Sequence, residues 1–168
     1  MDIQENQILE KFSDKWSSWG LYFKVEAEIT VNSLFTPPFL PPFTWLNVFH
    51  FTYNGNENVN GTSGYRIPAL FVHKDQYFEI YTANDTFYPT LFNFEFGKKY
   101  HIVLQQYQLE DKVIEEVKID GNIISSRENI QPKSFPGMKL YISDPWHPPF
   151  ISNYGLLENL KVTKYAQF

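Results

Sequence analysis

Residues 21–31 run Leu-Tyr-Phe-Lys-Val-Glu-Ala-Glu-Ile-Thr-Val. Leu21, Phe23, Val25, Ala27, Ile29 and Val31 are apolar, and Lys24, Glu26, Glu28 and Thr30 fill the even positions between them. Successive side chains of a strand point to opposite faces, so a period of two predicts a strand with one dry and one wet face. The dry face needs a cover. No segment beyond the N-terminus carries helical periodicity, so the cover is expected to be a second sheet, packed face to face and burying the odd-numbered residues.

Working outward, Trp45–Tyr53 (WLNVFHFTY) is apolar on both alternating faces, which suits a central strand covered from both sides. Before it, residues 33–45 (SLFTPPFLPPFTW) hold two Pro pairs that cannot donate to a ladder and therefore predict a loop, an unusually apolar one with Phe35, Phe39, Leu40 and Phe43. After it, the Gly- and Asn-rich stretch 54–64 predicts a turn. Further strands are expected at Arg66–Val72 and Gln76–Tyr81, joined by the polar step His73-Lys74-Asp75, with Pro68 placing an edge or a bulge in the first. Leu91–Phe96, Lys99–Tyr107 and Val113–Ile119 continue the series, broken at Gly97 and at residues 109–112. Asp120-Gly121 is the strongest hairpin signal, because both residues accept positive φ. Met138–Ser143 and Leu156–Thr163 close the series, and Gln7–Phe12 is assigned as an early strand. About ten strands with regular breaks predict an all-β antiparallel two-sheet sandwich. No linker or repeat divides the chain, so residues 1–168 are expected to form one domain, with 1–18 as an N-terminal extension or first strand.

Composition narrows the functional classes. The 168 residues carry a net charge of −5 and 18% aromatic side chains. With no basic run to neutralise a phosphate backbone, nucleic acid is not an expected partner. The absence of cysteine excludes a disulfide framework, a thiolate metal site and a Cys nucleophile. Residues 1–12 lack the basic and apolar regions of a signal peptide, and no apolar run approaches the length of a membrane span. Sequons at Asn60-Gly61-Thr62 and Asn84-Asp85-Thr86 fall in polar stretches where a glycan is tolerated, and they favour an extracellular setting without excluding the cytoplasm.

Taken in order, FHFTYN (49–54), GYRIPALFV (64–72), KYHIVLQQYQ (99–108), VKIDGNII (117–124), MKLYISDPWHPPF (138–150) and YGLLENLKV (154–162) resemble the laminin-G-like members of the concanavalin A-like jelly-roll superfamily. The likeness spans roughly residues 19–163, with Tyr65–Ala69 and Leu140–Trp146 its most specific pieces. The resemblance implies a jelly-roll sandwich in a secreted or cell-surface protein, without catalysis, binding a glycan or a protein, and often a calcium ion. The Pro/Phe-rich stretch at 33–45 departs from the family's pattern, and no set of calcium ligands can be placed here.

Several residues are candidates for chemistry. Some relatives of this architecture are glycoside hydrolases, which use paired carboxylates. The nearest approach is Glu26 with Glu28, about 7 Å apart on one strand face, though a third acid is missing and Lys24 and Thr30 make the face an ordinary wet one. No phosphate loop, H-E-x-x-H or G-x-S-x-G occurs, and His50, His73, His101 and His147 lie on different segments with no zinc-site spacing. Asp144, Trp146 and His147 form a rim loop in which Trp146 offers a plate to a sugar and Asp144 an acceptor or calcium ligand, or else they cap the turn and close the core. Arg66 could pair with a carboxylate across the sheet or grip a ligand acid. His50 and Thr52 share a strand face and could line a groove or fill core. Phe39, Phe43 and Trp45 give the proline-stiffened loop an interface if exposed, or cover one sandwich end if folded back.

The expectation is therefore a non-catalytic extracellular recognition or adhesion module. It would bind a glycan or an extracellular protein through end loops, using Trp146, Asp144, His147, Arg66, His50, Phe39, Phe43 and Trp45, with no required cofactor and calcium possible. The alternatives are a carbohydrate-active hydrolase on the same scaffold and a self-assembling structural subunit, a homo-oligomer joined by sheet edges or the 33–45 loop.

Overall fold

The structure is a computed structural model, and it describes residues 22–33, 44–52, 66–82, 89–135, 138–143 and 154–165. These form ten strands: β1 (Phe23–Val31), β2 (Trp45–Thr52), β3 (Ala69–His73), β4 (Tyr77–Tyr81), β5 (Thr90–Asn93), β6 (Lys99–Leu109), β7 (Lys112–Ile119), β8 (Asn122–Glu128), β9 (Lys139–Ile142) and β10 (Gly155–Lys164). They build two five-stranded sheets, in the orders β10-β1-β6-β7-β8 and β5-β4-β3-β2-β9, and every pairing is antiparallel. No helix occurs among the described residues. The molecule is an all-β two-sheet sandwich, as the alternation predicts.

The odd face of β1 is buried as expected, with Phe23, Val25, Ala27, Ile29 and Val31 all sealed from solvent. Tyr100, Ile102 and Leu104 of β6 and Val117 and Ile119 of β7 extend this layer. The opposing sheet contributes Leu46, Val48, Leu70, Val72, Phe78 and Ile80. At one end the Phe78 ring meets Phe94 at 4.9 Å and Tyr100 at 5.6 Å. The buried Tyr100 hydroxyl accepts the Glu95 backbone N–H at 2.8 Å, so its polar tip is satisfied.

The β7–β8 hairpin turns on Asp120 and Gly121, with φ of 52° and 81°. Two positive φ values give the turn whose twist matches the flanking strands. The Asp120 carboxylate also accepts the His101 backbone N–H at 2.9 Å, tying the turn to β6.

Several strand ends differ from the sequence expectation, among them the strand expected over 91–96, which runs Thr90–Asn93, and the one over 113–119, which starts at Lys112. The strand expected over 66–72 begins at Ala69 and runs through His73, so Pro68 lies just outside it and costs the ladder nothing. β3 is an interior strand, and the bulge lies in its neighbour β2, between Asn47 and Phe49. His73, assigned to the connecting step, is the last residue of β3 and pairs with both Trp45 and Tyr77. The expected strand at 7–12, the sequons at Asn60 and Asn84, and the candidates Phe39, Phe43, Asp144, Trp146 and His147 lie outside the described residues.

Candidate functional site

The bulge in β2 decides which side chains share the outer face of the β5-β4-β3-β2-β9 sheet. Leu46 opposes Val72 and Phe49 opposes Leu70, so Val48 is the extra residue and stays in the core. Outward parity on β2 therefore passes from 45 and 47 to 50 and 52. Three cross-strand rows result. Trp45, His73, Tyr77 and Asn93 form the first, Asn47, Phe71, Glu79 and Leu91 the second, and Tyr141, His50, Ala69 and Tyr81 the third.

The first two rows are locked together at Glu79. Its carboxylate accepts the Trp45 indole Nε1–H at 2.6 Å and, on the other oxygen, the Tyr81 hydroxyl. Glu79 is buried, whereas Trp45 keeps 39% of its surface exposed. His73 stacks on Tyr77 with ring centroids 4.2 Å apart and presents an edge to Trp45 at 5.4 Å. The Asp75 backbone N–H donates to His73 Nδ1 at 3.1 Å, which makes that nitrogen an acceptor and puts the proton of the neutral ring on Nε2. Burial holds the His73 imidazole below its ordinary range, against the opposing pull of Asp75 and Glu79.

Arg66 stands over the third row. Its guanidinium lies 4.5 Å from the Tyr81 ring centre and 4.9 Å from that of Phe71, and Phe71 is buried beneath it. Burial pushes the Tyr81 hydroxyl well up, and its hydrogen bond to Glu79 adds to the effect, so it remains a donor at any physiological pH. His50 and Thr52 share this face but are fully buried, with the His50 ring edge-on to Phe71 at 6.0 Å. Neither side chain reaches solvent, which fits the core-filling reading of the pair.

Trp45, Arg66 and His50 are thus the sequence candidates the structure brings together. Sequence reasoning missed His73, Tyr77, Glu79 and Tyr81. For the last three the signal was present in the alternation of β4, Tyr77-Phe78-Glu79-Ile80-Tyr81, whose odd positions all carry hydrogen-bonding tips.

Glu26 and Glu28 lie on the opposite side of the molecule. Glu26 bonds Lys24 at 2.8 Å and has His101 at 3.9 Å. Glu28 accepts from Asn159 at 2.9 Å and Lys99 at 3.3 Å, and Lys99 also holds Glu158 at 2.7 Å. The Asn159 hydrogen bond, followed by Lys99, keeps the Glu28 carboxyl below its usual range. A general acid has to hold its proton near neutral pH, and these contacts favour the opposite. Among the described residues no group of three or more His, Cys, Asp or Glu is placed to hold a metal, and no helix is long and apolar enough to cross a membrane.

No family model and no curated protein matches the sequence. Solved structures do match in shape. Trypanosoma rangeli sialidase superposes with a TM-score of 0.54 at 18% identity, covering 84% of this chain and 20% of that one. A truncated AlyQ with CBM32 and alginate lyase domains gives 0.52 at 10% identity, covering 89% of this chain and 43% of that one. At such identities the likeness is one of fold, the β-sandwich of jelly-roll type. The chain spans only about a fifth of the sialidase it matches.

Proposed function

We propose that this domain is a non-catalytic, extracellular recognition module of laminin-G-like type that binds a glycan across the outer face of the β5-β4-β3-β2-β9 sheet. The observation that carries the reading is Trp45, an exposed indole whose nitrogen is held by a buried carboxylate. An aromatic plate fixed in this way offers an apolar surface to the C–H face of a sugar ring and loses little entropy on binding. The Tyr77 and Arg66 polar tips on the same face supply the few placed donors and acceptors that orient such a ligand. The solved structures of similar fold include a sialidase and a protein with CBM32 and alginate lyase domains, names that belong to saccharide chemistry. This reading moves the contact surface from the end loops to a sheet face.

A hydrolase reading finds less support, since both acids of its best pair are salt-bridged and Glu28 is drawn toward the ionised form. A glycan array probed with the full chain, with calcium and with a chelator, tests the proposal. The expected outcome is a saccharide signal that persists in chelator and falls at least about tenfold in Trp45→Ala, on the scale of a lost stacking contact with its hydrogen bond. A blank array, or Trp45→Ala binding as the parent does, overturns it.

A further inference from the structure

We propose that the glycan bound on this face is acidic, and that Arg66 receives its carboxylate. The inference rests on the glycan reading and adds the charge of the ligand. Across the other sheet several lysines are matched by carboxylates: Lys24 with Glu26, Lys99 with Glu28 and Glu158, Lys112 with Glu128, and Lys118 with Glu116. Arg66 is different. Its guanidinium carbon lies 4.9 Å from the centre of the Phe71 ring and 4.5 Å from that of Tyr81, two rings that stand at 84° to each other, and among the described residues no carboxylate forms an ion pair with it. The nearest acid of the face, Glu79, has one oxygen taken by Trp45 and the other by Tyr81.

A guanidinium carries its N–H donors in its own plane, around its rim. They form the planar fork that matches a carboxylate with two parallel hydrogen bonds, a geometry no sugar hydroxyl can reproduce. Contact with the Phe71 and Tyr81 rings holds the guanidinium in place before a ligand arrives. The chain's net charge of −5 would not draw an anion from a distance, so selection for the acid has to be local to this residue.

Position fits the same ligand. Arg66 covers the second and third rows while Trp45 sits in the first, so the two groups are on the order of 10 Å apart along the strands. That exceeds one pyranose ring. The ligand is then an oligosaccharide with one sugar on Trp45 and an acid-bearing sugar on Arg66.

The test compares an oligogalacturonate with its methyl ester by calorimetry on the full chain, for the parent, Arg66→Gln and Arg66→Lys. The parent is expected to favour the acid about tenfold or more, a charge-assisted pair converted to affinity. Arg66→Gln should reduce that ratio to near one while leaving ester binding in place, and Arg66→Lys should recover only part of it, because an ammonium lacks the fork. Equal binding of acid and ester by the parent overturns the inference and leaves the glycan reading standing. An Arg66→Gln that keeps the acid preference does the same. Binding of neither, joined to a blank glycan array, overturns both. Should Arg66→Gln fail to fold, the parent's acid-to-ester ratio alone decides.

Discussion

At the scale of single residues, His73 carries an environment that its sequence neighbours do not announce. Tyr77 covers one face of the imidazole, Trp45 meets it edge-on, and the Asp75 N–H occupies Nδ1. Asp75, Glu79 and Lys74 are the charged groups that act on it. Because burial lowers its pKa in the folded state, the unfolded chain binds the proton more readily. Stability from this residue is therefore complete above about pH 6.5 and is lost as pH falls from there toward the lowered folded value. The thermal midpoint is expected to drop between pH 7.5 and pH 5.5 in the parent, and His73→Phe should flatten that part of the profile. A parent midpoint that rises on acidification through this window would contradict the assignment. Arg66 shows the same dependence on surroundings. The chain offers two readings of it, a pair within the sheet or a grip on a ligand acid; the structure adds its contact with the Phe71 and Tyr81 rings, and the acid-to-ester comparison decides between them.

At the scale of elements, the β7–β8 turn tests how much local chemistry contributes. A Cβ on Gly121 would meet nothing within 4 Å, so the strain of a substitution is carried by its φ of 81° alone. Gly121→Ala should cost roughly 1 kcal/mol. In urea unfolding the midpoint should move down with the slope unchanged, since the surface exposed is the same. The turn was fully legible as Asp-Gly between alternating segments. The bulge in β2 was not. WLNVFHFTY is apolar on both faces, so nothing in its alternation marks where parity shifts, and yet that shift brings His50 and Trp45 onto one face. The strand at 69–73 was misjudged at its ends for a related reason: Arg66 and Pro68 were counted into it, and His73 was counted out as polar. Cross-strand pairing with Trp45 and Tyr77 outweighs that polarity.

At the scale of the whole molecule, the core and the proposed recognition face lie on opposite sides of the same strands. Phe78 and Glu79 are adjacent in β4, the first packed between the sheets and the second under the outer aromatic rows. Phe78→Ala removes a ring in contact with Phe94 and Tyr100 and should cost about 3–5 kcal/mol, a large share of the ~5–15 kcal/mol typical of a domain. Chemical denaturation should show that loss, while the fraction still folded binds saccharide as the parent does. A loss of affinity in the folded fraction would mean that the two faces are coupled.

The residue string by itself determined the fold class, because burial of one face imprints a period of two on every half-buried strand, and residues 21–31 carry that imprint without interruption. It also set the turn at Asp120-Gly121 and, through its charge balance and lack of cysteine, removed whole classes of chemistry. What only the tertiary structure decided is which outward side chains meet. The gathering of Trp45, Arg66, Tyr77, Glu79 and Tyr81 depends on the register between strands far apart in the chain and on one extra residue in β2. Register is a property of pairs of strands, and a single strand's sequence holds only half of it.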